Sequence, residues 1–224
     1  MSWIVSRNKH LNKESIFDNF VLISTPKCGG MSLEKYLEEN KFQLNRPEKP
    51  NLLGHYTFLD TYFKIKNSSF NSLNKYLIPY RNPYEWRKSW YKYIKTNPNG
   101  SGMPTLYNLF NNISFSDYVE LLVSGEYKKF GTIENLPFIP RNNYITNMIS
   151  KNIEINDVKI YLFDMSKGFK KLFQNHFYID IDEINKINTT SDVDDYTLSD
   201  NLLKKLNLFD TLETSNQNVY INLN

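Results

Sequence analysis

The chain has 224 residues, of which 40% are hydrophobic and 15% aromatic, so it can bury one core of ordinary size, and we predict a single domain over residues 1–224. The 27 basic and 24 acidic residues give a net charge of +3 without a long basic block, which argues against a nucleic-acid partner. The single cysteine excludes an intrachain disulfide and a cysteine-rich metal cluster, and it is compatible with a reducing compartment. No apolar run reaches the roughly 18 to 20 residues that span a bilayer, and the first residues lack a signal-peptide core, so we expect a soluble, cytoplasmic protein.

The first predicted elements are an arm and a strand–loop–helix unit. Residues 1–19 are polar with scattered apolar side chains, and we predict an N-terminal arm packed on the domain. The stretch Phe20–Leu33 begins with β-branched apolar residues, passes through Pro26 and a glycine pair, and continues with apolar residues at helical spacing. This order predicts a strand, a tight loop and a helix.

The loop of this unit has the composition of an anion site. A helix that begins after a glycine-rich turn presents unpaired N–H groups, and Gly29 and Gly30 have no Cβ to hold a phosphate away. Lys27 adds a charge and Ser32 a hydroxyl. In the loop that binds nucleotide triphosphates, Gly-Lys-Ser/Thr follows four spacer residues after a first glycine. Here Lys27 precedes the glycine pair, so this loop is of another kind. A plain turn with a solvated lysine fits the same residues, and Cys28 fits either a reactive thiol or a small residue tucked into the turn.

The next segment leads to a histidine. The helix is predicted to end near Asn40, and residues 41–53, which contain two prolines, predict a connecting loop. His55 follows a glycine, and imidazole is the side chain best able to take a proton near neutral pH. A hydrogen-bonded structural histidine is the alternative. A short helix is predicted over Leu59–Ile65.

A second strand and helix follow. The apolar run that begins at Lys75 predicts a strand whose Pro79 lies near its end, because a central strand needs every N–H. Pro83 predicts the start of a helix. Arg81 therefore stands at the carboxyl end of a strand, and Ser89, on the helix, could converge with it on one bound phosphate.

The helix after Pro83 has an aromatic face. Trp86, Trp90 and Tyr93 recur at helical spacing and predict a core face. Arg87 and Lys88 predict a solvated face of the same helix.

The remaining chain predicts one more strand and several helices. Asp164, at the end of that strand, fits a helix cap best, and a metal ligand or a group that orients a base are the alternatives. The predicted elements are a loop over 97–104, a helix over 115–122 between a serine cap and Gly125, irregular backbone over 130–144, a helix over 143–149, a strand over 158–164 with a helix after it, a polar loop over 189–195, and a last helix capped by Ser199.

The alternation of strand, loop and helix predicts an α/β fold with a mostly parallel sheet. Ligands of such sheets bind at the carboxyl ends of the strands, and Lys27 and Arg81 both fall at such ends. This coincidence favours a ligand that carries phosphate groups.

Two of these motifs resemble a known family. Thr25–Leu33 resembles the loop that holds the 5′-phosphosulfate of 3′-phosphoadenosine 5′-phosphosulfate (PAPS) in the PAPS-dependent sulfotransferases, especially their carbohydrate-modifying branch. Tyr80–Tyr91 resembles the second motif of that family, in which an arginine and a serine eight residues later bind the 3′-phosphate. Weaker likenesses lie at Gly54–His55, Phe138–Tyr144 and Asn185–Ser191.

The resemblance implies a three-layer, P-loop-like nucleotide-binding fold and one sulfotransferase domain. It implies PAPS as the donor, adenosine 3′,5′-bisphosphate as the product, no metal, and a hydroxyl acceptor, most simply on a carbohydrate, with lipids, small alcohols and tyrosine left open. Lys27 is then expected at the bridging oxygen, and His55 as the base for the acceptor proton. The implied donor-binding residues are Thr25, Pro26, Lys27, Cys28, Gly29, Gly30, Met31, Ser32, Arg81, Ser89, Asn185 and Lys186.

Two positions depart from the family pattern. Met31 stands where the family usually has threonine, and Arg141 stands where it usually has glutamine. These departures leave open a nucleotide- or glycan-binding module that has lost its chemistry. The rival enzyme is a kinase-like nucleotide-dependent transferase, which the absence of the triphosphate loop and of an obvious acidic Mg²⁺ pair disfavours.

Overall fold

The computed structural model describes residues 2–7, 19–40, 42–45, 58–97, 104–129, 136–138, 158–165, 168–178, 195–210 and 220–222. The chain divides into two compact units. The prediction of one domain over the whole chain stays a prediction. The sheet unit comprises Met1–Arg81, Asn143–Ile187 and Glu213–Asn224, and the helical unit comprises Asn82–Asn142 and Asn188–Leu212.

The sheet unit is built on a mixed sheet, in which the described residues form six strands in the order β3-β1-β2-β4-β5-β6. The pairs β2–β4, β4–β5 and β5–β6 are parallel, whereas β1 is antiparallel to both β2 and β3. The α/β class is therefore confirmed. The strands are β1 (Ser2–Arg7), β2 (Asn19–Ile23), β3 (Phe42–Asn45), β4 (Lys75–Tyr80), β5 (Lys159–Asp164) and β6 (Tyr220–Asn222).

The three predicted strands, β2, β4 and β5, form because their apolar runs are buried at nearly every position. Pro79 is the penultimate residue of β4, as its missing N–H requires. The core on one side of the sheet is shared with the helices of this unit. It consists of Val5, Phe20, Leu22, Leu33, Leu37, Phe42, Leu77, Tyr161, Phe163, Leu172, Phe173 and Phe177.

Two segments predicted to lack strands contain them. The N-terminal arm prediction is wrong for residues 2–7, because β1 lies between β2 and β3, where Ile4 and Val5 are both buried. The loop prediction over 41–53 is wrong for Phe42–Asn45, where Phe42 is buried and Gln43 exposed. The third missed strand is β6.

The described residues of the sheet unit form three helices: α1 (Gly30–Glu39), α2 (Phe58–Lys66) and α6 (Phe169–Leu172), which continues into a π-turn over Phe173–Phe177. The helices α1 and α2 confirm the sequence predictions. Asp164 is the last residue of β5 and directly precedes a 3-10 residue, Met165, whereas α6 begins at Phe169, so its role as a helix cap stays a prediction.

The helical unit contains α3 (Pro83–Thr96), α4 (Pro104–Asn112), α5 (Phe115–Ser124) and α7 (Asp200–Phe209), with short 3-10 turns over Glu126–Lys129 and Leu136–Phe138. The helix α4 was not predicted. Its neighbours begin and end at the predicted signals: Pro83 is the first residue of α3, Ser114 caps α5, Gly125 ends α5 with a φ of 79°, and Ser199 caps α7. The loop predicted at 98–103 and the helix predicted over 143–149 lie outside the described residues.

The helix α3 corrects one prediction and supports another. Trp86 and Trp90 are buried as predicted, and Tyr93 is half-buried. Arg87, which was expected to be solvated, is completely buried. Its Nε and Nη2 donate to the two carboxylate oxygens of Asp210, each at 2.7 Å. This ion pair joins α3 to the end of α7.

Among the described residues, no helix is long and apolar enough to cross a membrane.

Candidate functional site

The loop between β2 and α1 is a tight turn with two left-handed residues. The φ angles of Lys27 and Gly29 are 59° and 70°, and the Cys28 N–H donates to the Thr25 carbonyl at 3.3 Å. Gly29 is the N-cap of α1, and the first intrahelical hydrogen bond runs from the Leu33 N–H to the Gly29 carbonyl at 3.0 Å. The positive end of the α1 dipole therefore lies at this loop, and the fully described first turn of α1 carries no acidic residue.

Gly30 lies against Ser24, the first residue after β2. A Cβ at position 30 would lie 1.6 Å from the Ser24 Oγ and 2.8 Å from the Ser24 Cβ. Both residues are buried. The lack of a side chain at Gly30 thus lets the first turn of α1 approach the end of β2.

This contact leads to a prediction on stability. Gly30→Ala is expected to destabilise the protein by about 1 to 3 kcal/mol, because two atoms of Ser24 occupy the space of the new methyl group. Urea unfolding measures the change. In a Ser24→Gly background the same substitution should cost little, since both obstructing atoms are gone. Equal losses in the two backgrounds would show that the contact with Ser24 is not the cause.

Lys27 is half-buried, and the pKa of its ammonium is lowered from 10.5 to about 8. Burial is the largest cause, since it disfavours the charged form. The positive charge of Arg81 lowers the pKa further, and Cys28 opposes the shift. Two cations therefore lie close enough for their charges to interact, and at pH 7 Lys27 is still mostly protonated.

The topology of the sheet explains why these two cations meet. The strands β2 and β4 are parallel neighbours, and Lys27 and Arg81 each follow the carboxyl end of one of them. The buried Thr25 hydroxyl donates a hydrogen bond to the carbonyl of Pro79. The side chain of Thr25 thus ties the loop to the last residues of β4.

The other predicted loop residues differ in exposure. Pro26, Cys28 and Ser32 are buried, whereas Met31 is 58% exposed at the first turn of α1. Thr25 was expected among the donor-binding residues, and this role stays a prediction; in the structure its hydroxyl donates a hydrogen bond to the Pro79 carbonyl. Sequence reasoning missed this bond because no local pattern relates residues that are 54 positions apart.

The remaining predicted residues lie either in the helical unit or outside the described residues. Ser89 lies half-buried on α3 in the helical unit, and its convergence with Arg81 on one phosphate stays a prediction. His55, Arg141, Asn185 and Lys186 lie outside the described residues. Within the part of the chain that is described, no group of three or more His, Cys, Asp or Glu side chains could hold a metal ion.

A cavity of about 920 Å³ lies in the helical unit, on the surface formed by α5 and α7. None of its lining residues was predicted to bind a ligand. Its rim carries Asp117, Glu120 and Lys205, and its apolar walls include Leu202 and Leu208. The cationic loop between β2 and α1 and this mixed acidic and apolar surface are thus chemically distinct features.

Comparisons with known proteins find no family model, no curated protein and no solved structure that matches this chain significantly.

Proposed function

We propose that this protein is a PAPS-dependent sulfotransferase that transfers a sulfuryl group to a hydroxyl, most simply on a carbohydrate, within a sulfotransferase-type variant of the α/β fold. One observation carries the proposal: Lys27 and Arg81 follow neighbouring parallel strands, and their charges interact at the start of α1. The sequence motifs around the same two residues resemble those of the family.

The chemistry of this arrangement fits an anionic ligand. Two like charges that lie close together and partly out of water repel each other, and the repulsion contributes to the lowered pKa of Lys27. A phosphate or sulfate group bound there offsets this repulsion, because its negative charge attracts both cations. The N-terminus of α1, after a loop with a left-handed glycine, supplies N–H donors at the same place.

The proposed roles follow the chemistry of sulfuryl transfer. The acceptor oxygen bonds to sulfur while the bond between sulfur and the phosphate oxygen of the donor breaks, so negative charge grows on the leaving phosphate. Lys27 stabilises that charge, and His55 takes the proton of the acceptor hydroxyl. Backbone N–H groups of residues 29–32 hold the 5′-phosphate. Arg81 and Ser89 hold the 3′-phosphate, and Asn185 and Lys186 belong to a loop over the nucleotide.

Calorimetric titration with adenosine 3′,5′-bisphosphate tests the proposal. We expect binding with one site per chain, and Arg81→Met should weaken it about 10- to 100-fold because a charge-assisted contact is lost. Lys35→Met is the matched control: Lys35 is an exposed residue of α1 whose ammonium lies 3.6 Å from the Glu39 carboxylate. Its affinity should equal that of the wild type. Absence of binding by the wild type would overturn the proposal.

The second stage separates the alternatives. Transfer of labelled sulfate from PAPS to a panel of saccharides is the expected result. Tight binding of the bisphosphate without transfer to any acceptor would identify an inactive binding module. Mg²⁺-dependent turnover of ATP would instead favour a kinase-like transferase.

A further inference from the structure

The ladder between β2 and β4 ends before the edge of the sheet at which the two cations lie. The ladder between these strands consists of the pairs Val21–Tyr76 and Leu22–Leu77. On either side the pairing reaches further, since β1 pairs with β2 up to Ile23, and β4 pairs with β5 up to Tyr80. The ladder between the described strands β2 and β4 therefore ends at the pair Leu22–Leu77.

A side-chain hydrogen bond connects the two chain segments beyond the end of this ladder. The hydroxyl of Thr25, a residue that is 3% exposed, donates a hydrogen bond to the carbonyl of Pro79. Thr25 stands two residues before Lys27, and Pro79 stands two residues before Arg81. The bond therefore joins the two segments at equal distances along the chain from the two cations.

We propose that Thr25 is a positioning residue whose bond to Pro79 fixes the spacing of Lys27 and Arg81, so that both cations engage one anionic ligand with phosphate or sulfate groups. The identity of that ligand as the sulfotransferase donor rests on the proposed function, whereas the positioning does not. A hydroxyl can donate one hydrogen bond, and Thr25 donates it to the Pro79 carbonyl. We therefore assign Thr25 an indirect role, in which it acts by holding the two cations in place.

The state of Lys27 reports this positioning directly. Among the described residues, Arg81, which follows β4, and Cys28, in the same loop, are charged or titratable groups that act on its ammonium. If the bond to Pro79 is lost, the loop is free to move from β4. The ammonium of Lys27 then becomes less buried and the repulsion by Arg81 weakens, so the pKa of Lys27 rises from about 8 towards 10.5. A residue that only stabilises the fold would leave this pKa unchanged in the folded protein.

The experiment compares Thr25→Val, which keeps the shape but removes the hydroxyl, with Thr25→Ser, which keeps the hydroxyl. The pKa of Lys27 is followed by NMR titration of lysine side chains in the ligand-free chain of 224 residues, with the Lys27 signal assigned from its loss in Lys27→Met. We expect a raised pKa in Thr25→Val and a wild-type value in Thr25→Ser. Thr61→Val is the matched control, because Thr61 is a buried threonine of α2 in the same unit. It should leave the Lys27 signal unchanged.

Affinity for adenosine 3′,5′-bisphosphate supplies the second measurement. Thr25→Val should weaken binding about tenfold, and Thr25→Ser should restore it, because both cations must reach the ligand together. If Thr25→Val does not fold, Thr25→Ala is measured in the same way. A wild-type pKa of Lys27 in the folded hydroxyl-free variant would overturn the positioning role. A shifted pKa combined with no bisphosphate binding by the wild type would refute the proposed function and leave the positioning role in place.

Discussion

Lys27→Met is expected to lower the turnover of PAPS by about 10²- to 10³-fold, the usual effect of removing one donor from a group that stabilises transition-state charge. The lysine is the one predicted catalytic residue that the structure describes, and it lies at the positive end of α1 beside Arg81. Steady-state kinetics with a labelled donor measure the loss. Lys35→Met, on the same helix, should keep wild-type turnover, because Lys35 is exposed and pairs with Glu39.

The pH dependence sharpens this expectation. The pKa of Lys27 in the free protein is about 8, so the protonated form that attracts the donor disappears as the pH rises through that value. Because kcat/KM reports the ionisation of the free enzyme, it should fall above pH 8. Lys27→Arg keeps its charge throughout this range, so any activity that it retains should not fall there. An unchanged alkaline fall in Lys27→Arg would assign the ionisation to another group.

The sheet was predictable where burial is continuous and unpredictable where it is not. The strands β2 and β4 are apolar runs that are buried almost throughout, and such runs predict strands without knowledge of their partners. By contrast, β1 carries the buried residues Ile4 and Val5 within a mostly polar N-terminal segment, and its place is decided by pairing with strands on both sides. The prolines at 47 and 50 predicted a loop over a segment that begins with the four-residue strand β3.

The same contrast applies to the candidate site. The positions of Lys27 and Arg81 at the ends of strands follow from local patterns, so the sequence could predict that they belong to one edge of the sheet. The use of the Thr25 hydroxyl depends on where Pro79 lies in the folded chain. Sequence patterns therefore indicate which residue types can bind an anion, but they do not show which of them hold the others in place.

Arg87 is the strongest case of a residue that local patterns misplace. A charged residue beside two tryptophans on an amphipathic helix is usually solvated, because burial of an unpaired charge is very costly. Its burial is possible here because Asp210, 123 positions later, supplies a carboxylate in a two-point contact. The remaining Nη1 donates to the Pro137 carbonyl, which also accepts a hydrogen bond from the Tyr118 hydroxyl. Burial lowers the pKa of the guanidinium, but the carboxylate outweighs burial and keeps Arg87 charged.

Removal of either partner is expected to destabilise the helical unit strongly. Asp210→Asn or Arg87→Met should each cost about 3 to 5 kcal/mol, because the partner left behind is a buried charge without its counterion. Urea unfolding in a Trp3→Phe background measures the loss in free energy of unfolding. The tryptophan fluorescence then comes from Trp86 and Trp90 alone, and both belong to this unit. The guanidinium carbon of Arg87 lies 4.5 Å from the centre of the Trp86 ring, so the signal reports the region of the ion pair.

A double variant distinguishes the loss of a charge partner from the loss of packing. Arg87→Met combined with Asp210→Leu should be more stable than either single variant, because no buried charge remains while most of the volume is kept. Glu126→Gln is the matched control, since its exposed pair with Lys129, at 3.6 Å in the same unit, should contribute less than about 1 kcal/mol. If the single substitutions cost no more than Glu126→Gln, the buried pair does not hold α3 to the end of α7. If the double variant loses as much as both singles together, the side chains act through their shape, and charge pairing is not the reason for their burial.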